Sequence, residues 1–210
     1  MTDLIAKTMH SFLFVPGANT RALEKAKSLP ADCIIFDLED AVAPEAKDAA
    51  RAAVVGAIAE GGYSARMLII RTNAIDSQWF EADICACIAA QCNAILLPKI
   101  SSKAELEAVD STVKALGGGK SISLWAMIES PMAIINIAQI CSTSSKLPLQ
   151  GIILGLNDLA KEIGARQDTN RAPFHYAMAA VVNAASAYNI KSIDAVFNDI
   201  KNANGFAQQA

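Results

Sequence analysis

Histidine is almost missing from this chain, with only His10 and His175 among 210 residues. That scarcity argues against zinc, because the spacing of Cys85, Cys87 and Cys92 fits no standard site and no histidine lies near them. The five cysteines, Cys33, Cys85, Cys87, Cys92 and Cys141, sit in apolar, alanine-rich surroundings. An odd number without a secretory signal reads as reduced thiols of a cytoplasmic protein, used as core fillers. No stretch approaches the ~20 apolar residues of a membrane span. Runs of basic residues are also lacking, and with a net charge of -3 neither nucleic acid nor an anionic membrane is an expected partner. No glycine-rich phosphate fingerprint follows the first apolar run, which argues against a dinucleotide fold. Small anionic substrates remain open to local basic residues.

What is present is a chain 53% hydrophobic and 19% charged, enough to bury a core as one domain spanning 1–210. It is organised around CIIFDLED at residues 33–40. The run opens without charge, as suits a strand covered on both faces, and closes on Asp37, Glu39 and Asp40, which need a base, a cation or solvent nearby. Pro44 then marks a helix start, and Lys47 and Arg51 fall on one helical face.

The same grammar repeats along the chain. Apolar strands are expected near residues 10–17, 33–40, 67–73, 94–100, 122–129, 151–155 and 192–197, each but the last followed by a helix. Asn19 or Thr20, Ser77, Ser102 (with Glu105 in capping-box spacing) and Ser130 (before Pro131) are the expected helix caps. Strand and helix alternating every ~30 residues imply a parallel sheet with right-handed crossovers. Seven such units fit a (β/α)8 TIM barrel, class α/β, better than a doubly wound sheet. An eighth strand and the helices after it are not legible, so the expectation is an incomplete barrel with exposed edges on its first and seventh strands.

Charged residues gather at the C-terminal ends of these strands: the Asp37 to Asp40 cluster, Arg71, Lys99, Glu129 and Asp158. In a (β/α) barrel that end carries the active site, whereas structural ion pairs would fall at both ends. Glu129 and Asp158 lie one strand-helix unit apart, and two carboxylates without histidine favour a hard cation such as Mg2+. Arg71 can grip a carboxylate with two parallel hydrogen bonds. Backbone N–H groups near Leu156 and Asn157 could grip a substrate carboxylate if these residues open the turn into a short helix. Together these make a chelation site for a 2-oxo or 2-hydroxy acid. Asp37, Glu39, Asp40, Lys47 and Lys99 are expected to support it, and Arg21 and Lys25 share a helical face on which phosphates could rest.

SFLFVPG (11–17), DLEDAVAPEAK (37–47), RTN (71–73), LPKI (97–100), IE (128–129) and GLNDL (155–159) resemble the citrate lyase β-subunit (CitE-like) branch of the HpcH/HpaI aldolase superfamily, in register over essentially the whole chain. The resemblance implies a Mg2+-dependent TIM-barrel lyase that makes or breaks a carbon-carbon bond to a 2-oxo acid, commonly with an acyl-CoA thioester, in a homo-oligomer, often a trimer. It implies Glu129 and Asp158 as metal ligands and Arg71 with Glu129 as substrate contacts, and it makes Arg21 and Lys25 candidates for the phosphates of a CoA-type thioester carrier. Citryl, malyl and citramalyl thioesters are the expected substrate types. Two departures stand out. Asn157 replaces a second acid common in relatives, and the chain ends before the family's GK-x-IHP-x-Q segment. In CoA-lyase relatives a catalytic aspartate comes from that region of a neighbouring subunit. Two other readings stay open: an aldolase on a free hydroxy-oxo acid, which needs a catalytic histidine that neither His10 nor His175 supplies, and a non-autonomous subunit that binds an acyl-carrier partner.

Overall fold

The computed structural model describes residues 9–64, 66–119, 122–168 and 170–209; the rest of the expected 1–210 domain lies outside the described residues. Seven parallel strands form one sheet in chain order: β1 (Phe12–Pro16), β2 (Cys33–Asp37), β3 (Met67–Arg71), β4 (Ala94–Leu97), β5 (Ser123–Ile128), β6 (Leu149–Leu154) and β7 (Lys191–Ile193). Among the described residues each pairs only with its sequence neighbours, which leaves β1 and β7 as the edges of this sheet.

Between them run α1 (Thr20–Ala26), α2 (Lys47–Glu60), α3 (Phe80–Ala90), α4 (Lys103–Ala115), α5 (Pro131–Ile135), α6 (Ile137–Ser142), α7 (Leu156–Ile163) and α8 (His175–Ala187), and α9 (Ala203–Gln209) follows β7. Asn19, Ser102 and Ser130 cap their helices through side-chain oxygens, and Ser102 with Glu105 completes a capping box. No helix among the described residues is long and apolar enough to cross a membrane.

Alternate strand residues build two cores, as the period of two in a strand requires. One face, with Ile34, Phe36, Ile70, Ile95, Ala126 and Ile152, packs under the helices. The other, with Cys33, Ile35, Met67, Ile69, Leu96, Trp125, Met127 and Ile153, packs on itself. Phe12 of β1 meets Trp125 of β5 at 5.7 Å between ring centroids. Four strand spacings of about 4.8 Å would hold those rings far apart in a flat sheet, so the strands curl as in a (β/α)8 barrel. Gly151 belongs to that inner layer: a Cβ there would fall 2.5 Å from the Trp125 ring.

Three local expectations are corrected. Ser77 does not cap α3; the helix starts three residues later, behind Trp79, and the Ser77 hydroxyl has no hydrogen-bond partner. Asn136 breaks the helix after β5 into α5 and α6. β7 ends at Ile193 rather than 197, because the chain leaves the sheet once its pairing with β6 stops at Ile153. Lys47 and Arg51 share one face of α2 as expected: Lys47 is buried, and Arg51 pairs with Asp83 at 2.8 Å and Asp48 at 2.7 Å.

Candidate functional site

The ends of β2 and β3 meet first. Asp37 and Arg71 are register partners, and both are buried. Arg71 Nε and Nη2 donate to the two oxygens of Asp37 at 2.8 and 2.6 Å. Its Nη1 lies 2.9 Å from Glu39 Oε2 and 3.6 Å from Asp40, and the guanidinium stands 5.3 Å from the Phe14 ring centroid. Burial works against the charge of Arg71, but the hydrogen bonds and charge of Asp37, with Glu39 and Asp40, hold its pKa above the ordinary value. The two-pronged face expected to meet substrate is therefore engaged by Asp37.

Asp37 also shapes its own loop, accepting from the N–H groups of Glu39 at 2.8 Å and Ala41 at 3.1 Å. Lys47 braces the other side. Its Nζ donates to the carbonyls of Leu38 and Glu39 at 2.8 and 2.7 Å and lies 5.3 Å from the Trp79 ring centroid. Burial lowers its pKa against the pull of Asp37, Asp83, Glu39 and Asp40. Glu39 is buried with neither oxygen in a well-aligned hydrogen bond, and it is balanced by ion pairs to Arg71 and to Lys99 Nζ at 3.0 Å. Burial raises the pKa of its carboxyl, opposed by those two cations.

Glu129 closes β5. It is 2% exposed, and its Oε1 accepts the backbone N–H of Lys99 at 2.6 Å. Burial pushes its pKa up to about 7, opposed by that hydrogen bond and assisted by the charges of Glu39 and Asp158. A Cβ on Gly155 would collide with the Cβ of Glu129 and lie 2.5 Å from its Oε2, so glycine leaves room for the Glu129 side chain. Gly155 then opens α7 without a side-chain cap, and Asp158 sits in the first turn. Leu156 is buried, while the Asn157 side chain accepts from Gln167 and Asn198, each at 2.8 Å.

A cavity of about 390 Å³ joins these elements. It is lined by Arg71, Asp37, Asp40, Glu129, Leu156, Asn157 and Asp158, with Phe14, Met127, Ile153, Leu154 and Val196 as apolar walls. Glu39, Lys47 and Lys99 line a neighbouring hollow that shares Asp40. Arg21 and Lys25 are exposed on α1 and line neither. His10 and His175 line neither cavity, and His175 bonds to the Asn170 carbonyl at 2.9 Å. Among the described residues no group of three or more His, Cys, Asp or Glu side chains is placed to hold a metal ion. Glu129 and Asp158 offer oxygen donors only, and both line this cavity. That set fits a hard cation that completes its shell with water and substrate.

The family described as HpcH/HpaI aldolase/citrate lyase matches residues 10–210. The chain belongs to this family. It is 40% identical over 200 residues to the (3S)-malyl-CoA thioesterase of Cereibacter sphaeroides (strain ATCC 17029 / ATH 2.4.9), covering 95% of this chain and 67% of that protein. With the citrate lyase subunit beta of Escherichia coli (strain K12) it shares 33% identity over 209 residues, covering 97% and 68%. Its fold matches the citrate lyase beta subunit of M. tuberculosis complexed with oxaloacetate and magnesium, at a TM-score of 0.81 and 25% identity over 99% of this chain and 86% of that one.

Sequence reasoning missed the apolar walls of the cavity, because Phe14, Met127, Ile153 and Val196 read only as core. It also missed the backbone of Lys99. The glycine of GLNDL carried the one available signal for the space beside Glu129.

Proposed function

We propose that this chain is a Mg2+-dependent carbon-carbon lyase acting on the CoA-type thioester of a short 2-hydroxy acid, of malyl, citramalyl or citryl type. The observation that carries this reading is the meeting of Arg71, Glu129 and Asp158 at one cavity on the C-terminal side of the sheet, in a family whose relatives are named citrate lyase subunit beta. In such a cleavage the alcohol gives up its proton and becomes a carbonyl. The bond to the carbon beside the thioester breaks, and that carbon takes the electron pair and then a proton. The products are a 2-oxo acid and a shorter acyl thioester.

Glu129 and Asp158 would hold the cation, which would supply positive charge beside the substrate's oxygens. Arg71 Nη1, oriented by Asp37, adds a fixed donor for the oxygen that gains negative charge. The first-turn N–H groups of Leu156 and Asn157 bind the acid's carboxylate at the positive end of α7. Phe14, Met127 and Ile153 give the cavity an apolar side beside the reacting carbons.

A second reading is favoured by the name of the 40% identical relatives, (3S)-malyl-CoA thioesterase. There water would cleave the thioester to give free CoA and the intact hydroxy acid. Incubating the full chain with malyl-CoA, citramalyl-CoA and citryl-CoA, with Mg2+ or with EDTA, tests both. Glyoxylate, pyruvate or oxaloacetate appearing with acetyl-CoA supports the lyase, and free CoA with malate or its homologue supports the thioesterase. Neither product in any arm would overturn catalysis by this chain alone, and the reading as a subunit dependent on an acyl-carrier partner would stand.

A further inference from the structure

We propose that Lys99 is a positioning residue for the cation site, acting through its backbone N–H and setting which oxygen of Glu129 is free to ligate. This rests on Glu129 being a metal ligand. Lys99 follows β4 and Pro98 with a φ of 57°, in the left-handed region that a lysine seldom occupies. Such a conformation persists only where its surroundings over-determine it, and here they do. The N–H groups of Ser101 and Ser102 both donate to Glu105 Oε2, at 2.6 and 2.8 Å. The hydroxyls of Ser101 and Ser130 lie 2.9 Å apart, and Asn136 Nδ2 donates to the Ser101 carbonyl at 2.9 Å. On the other side, Lys99 Nζ pairs with Glu39 Oε1 at 3.0 Å.

The outcome is a single aimed donor. The Lys99 N–H meets Glu129 Oε1 at 2.6 Å and occupies the oxygen on that side. That leaves Oε2, which packs beside Gly155 at the cavity, without a hydrogen bond among the described residues. Among the described non-glycine residues with positive φ, Ser64, Gln91, Lys99, Arg171 and Asn189, Lys99 alone bonds to a carboxylate of the cavity. Its charge is a secondary feature: Nζ steadies the loop by way of Glu39, while the orientation of Glu129 depends on the backbone.

Isothermal titration of the full chain with MgCl2, with a thermal melt of each variant, separates this from a merely structural loop. Lys99→Val, whose β-branch resists positive φ, should weaken Mg2+ by about 10- to 100-fold, the range for groups that orient a metal ligand. Lys99→Gly adopts that backbone freely and should recover binding to within about threefold of wild type. Lys99→Met keeps the N–H without the charge and should fall in the same range. A clasp with no bearing on Glu129 would lower the Tm of Lys99→Val and leave its Kd unchanged, and that result overturns the proposal. Should Lys99→Val fail to fold, Lys99→Ala is compared with Lys99→Gly, and equal affinity in those two overturns it as well. Wild-type protein that takes up no Mg2+ overturns the metal reading and this inference together; wild-type binding matched by Lys99→Val overturns this inference alone.

Discussion

Arg71 and Asp37 face each other across adjacent strands as register partners, joined by two hydrogen bonds of 2.8 and 2.6 Å. The guanidinium is thus aimed before substrate arrives, with Nη1 as the prong shared by Glu39 and Asp40.

A lysine cannot copy a planar fork held at two points. Arg71→Lys should therefore lose on the order of 10²-fold in kcat/KM, equivalent to ~2.7 kcal/mol of transition-state stabilisation. Steady-state kinetics on the active thioester, beside circular dichroism to verify the fold, measure it. Near-normal kinetics would remove the assigned role.

Glu129 carries the pH dependence. Its folded-state pKa near 7 lies above the ~4.3 of an unfolded glutamate. Between those values the folded chain binds the extra proton, so this group's share of stability falls as pH rises from about 4.3 to 7. Glu129→Gln escapes that penalty. In EDTA it should melt several degrees above wild type at pH 8 and lose the advantage near pH 5. The same proton competes with a cation, so wild-type Mg2+ affinity should drop below pH 7, and Glu129→Gln should bind weakly at every pH. A melting difference that does not vary with pH would refute the assignment.

Gly155 is required by space rather than by φ. Gly155→Ala puts a methyl 2.5 Å from Glu129 Oε2, and such overpacking typically costs about 1–3 kcal/mol. We expect a lower Tm together with impaired Mg2+ binding by titration calorimetry. Full retention of both would show that Glu129 yields without consequence.

Asn157→Asp adds a charge next to Asp158 while keeping the acceptor used by Gln167 and Asn198. Mg2+ should bind several-fold more tightly, and an anionic 2-oxo acid such as pyruvate less tightly once the metal is saturating. Calorimetry with each ligand in turn checks both signs.

Much of this was legible from the chain itself. Apolar runs ending in charge located β2, β3 and β5 and the faces of Asp37, Arg71 and Glu129, because buried parallel strands tolerate charge only at their ends. The capping box at Ser102 and Glu105 was legible because its bonds are local. Ser77 misled because the loop before α3 runs on past it to Trp79. The partners of Arg71 were not readable, since pairing Asp37 with it depends on a register between strands 34 residues apart in sequence. Nor was the left-handed turn at Lys99, because composition does not encode a φ that surrounding hydrogen bonds impose.

The neighbour-only strand order has a consequence for local opening. Each strand leans on those just before and after it, so protection from solvent exchange should grade along the sheet, strongest in β3 to β5 and weakest toward β1 and β7. Arg71 and Glu129 are the last charged groups of that slow-exchanging centre, while Asp158 and the Asn157–Gln167–Asn198 amides stand on the looser flank. The cavity is thus half anchored and half yielding: fraying of β7 would open its Val196 wall without disturbing the guanidinium or the carboxylate at its floor.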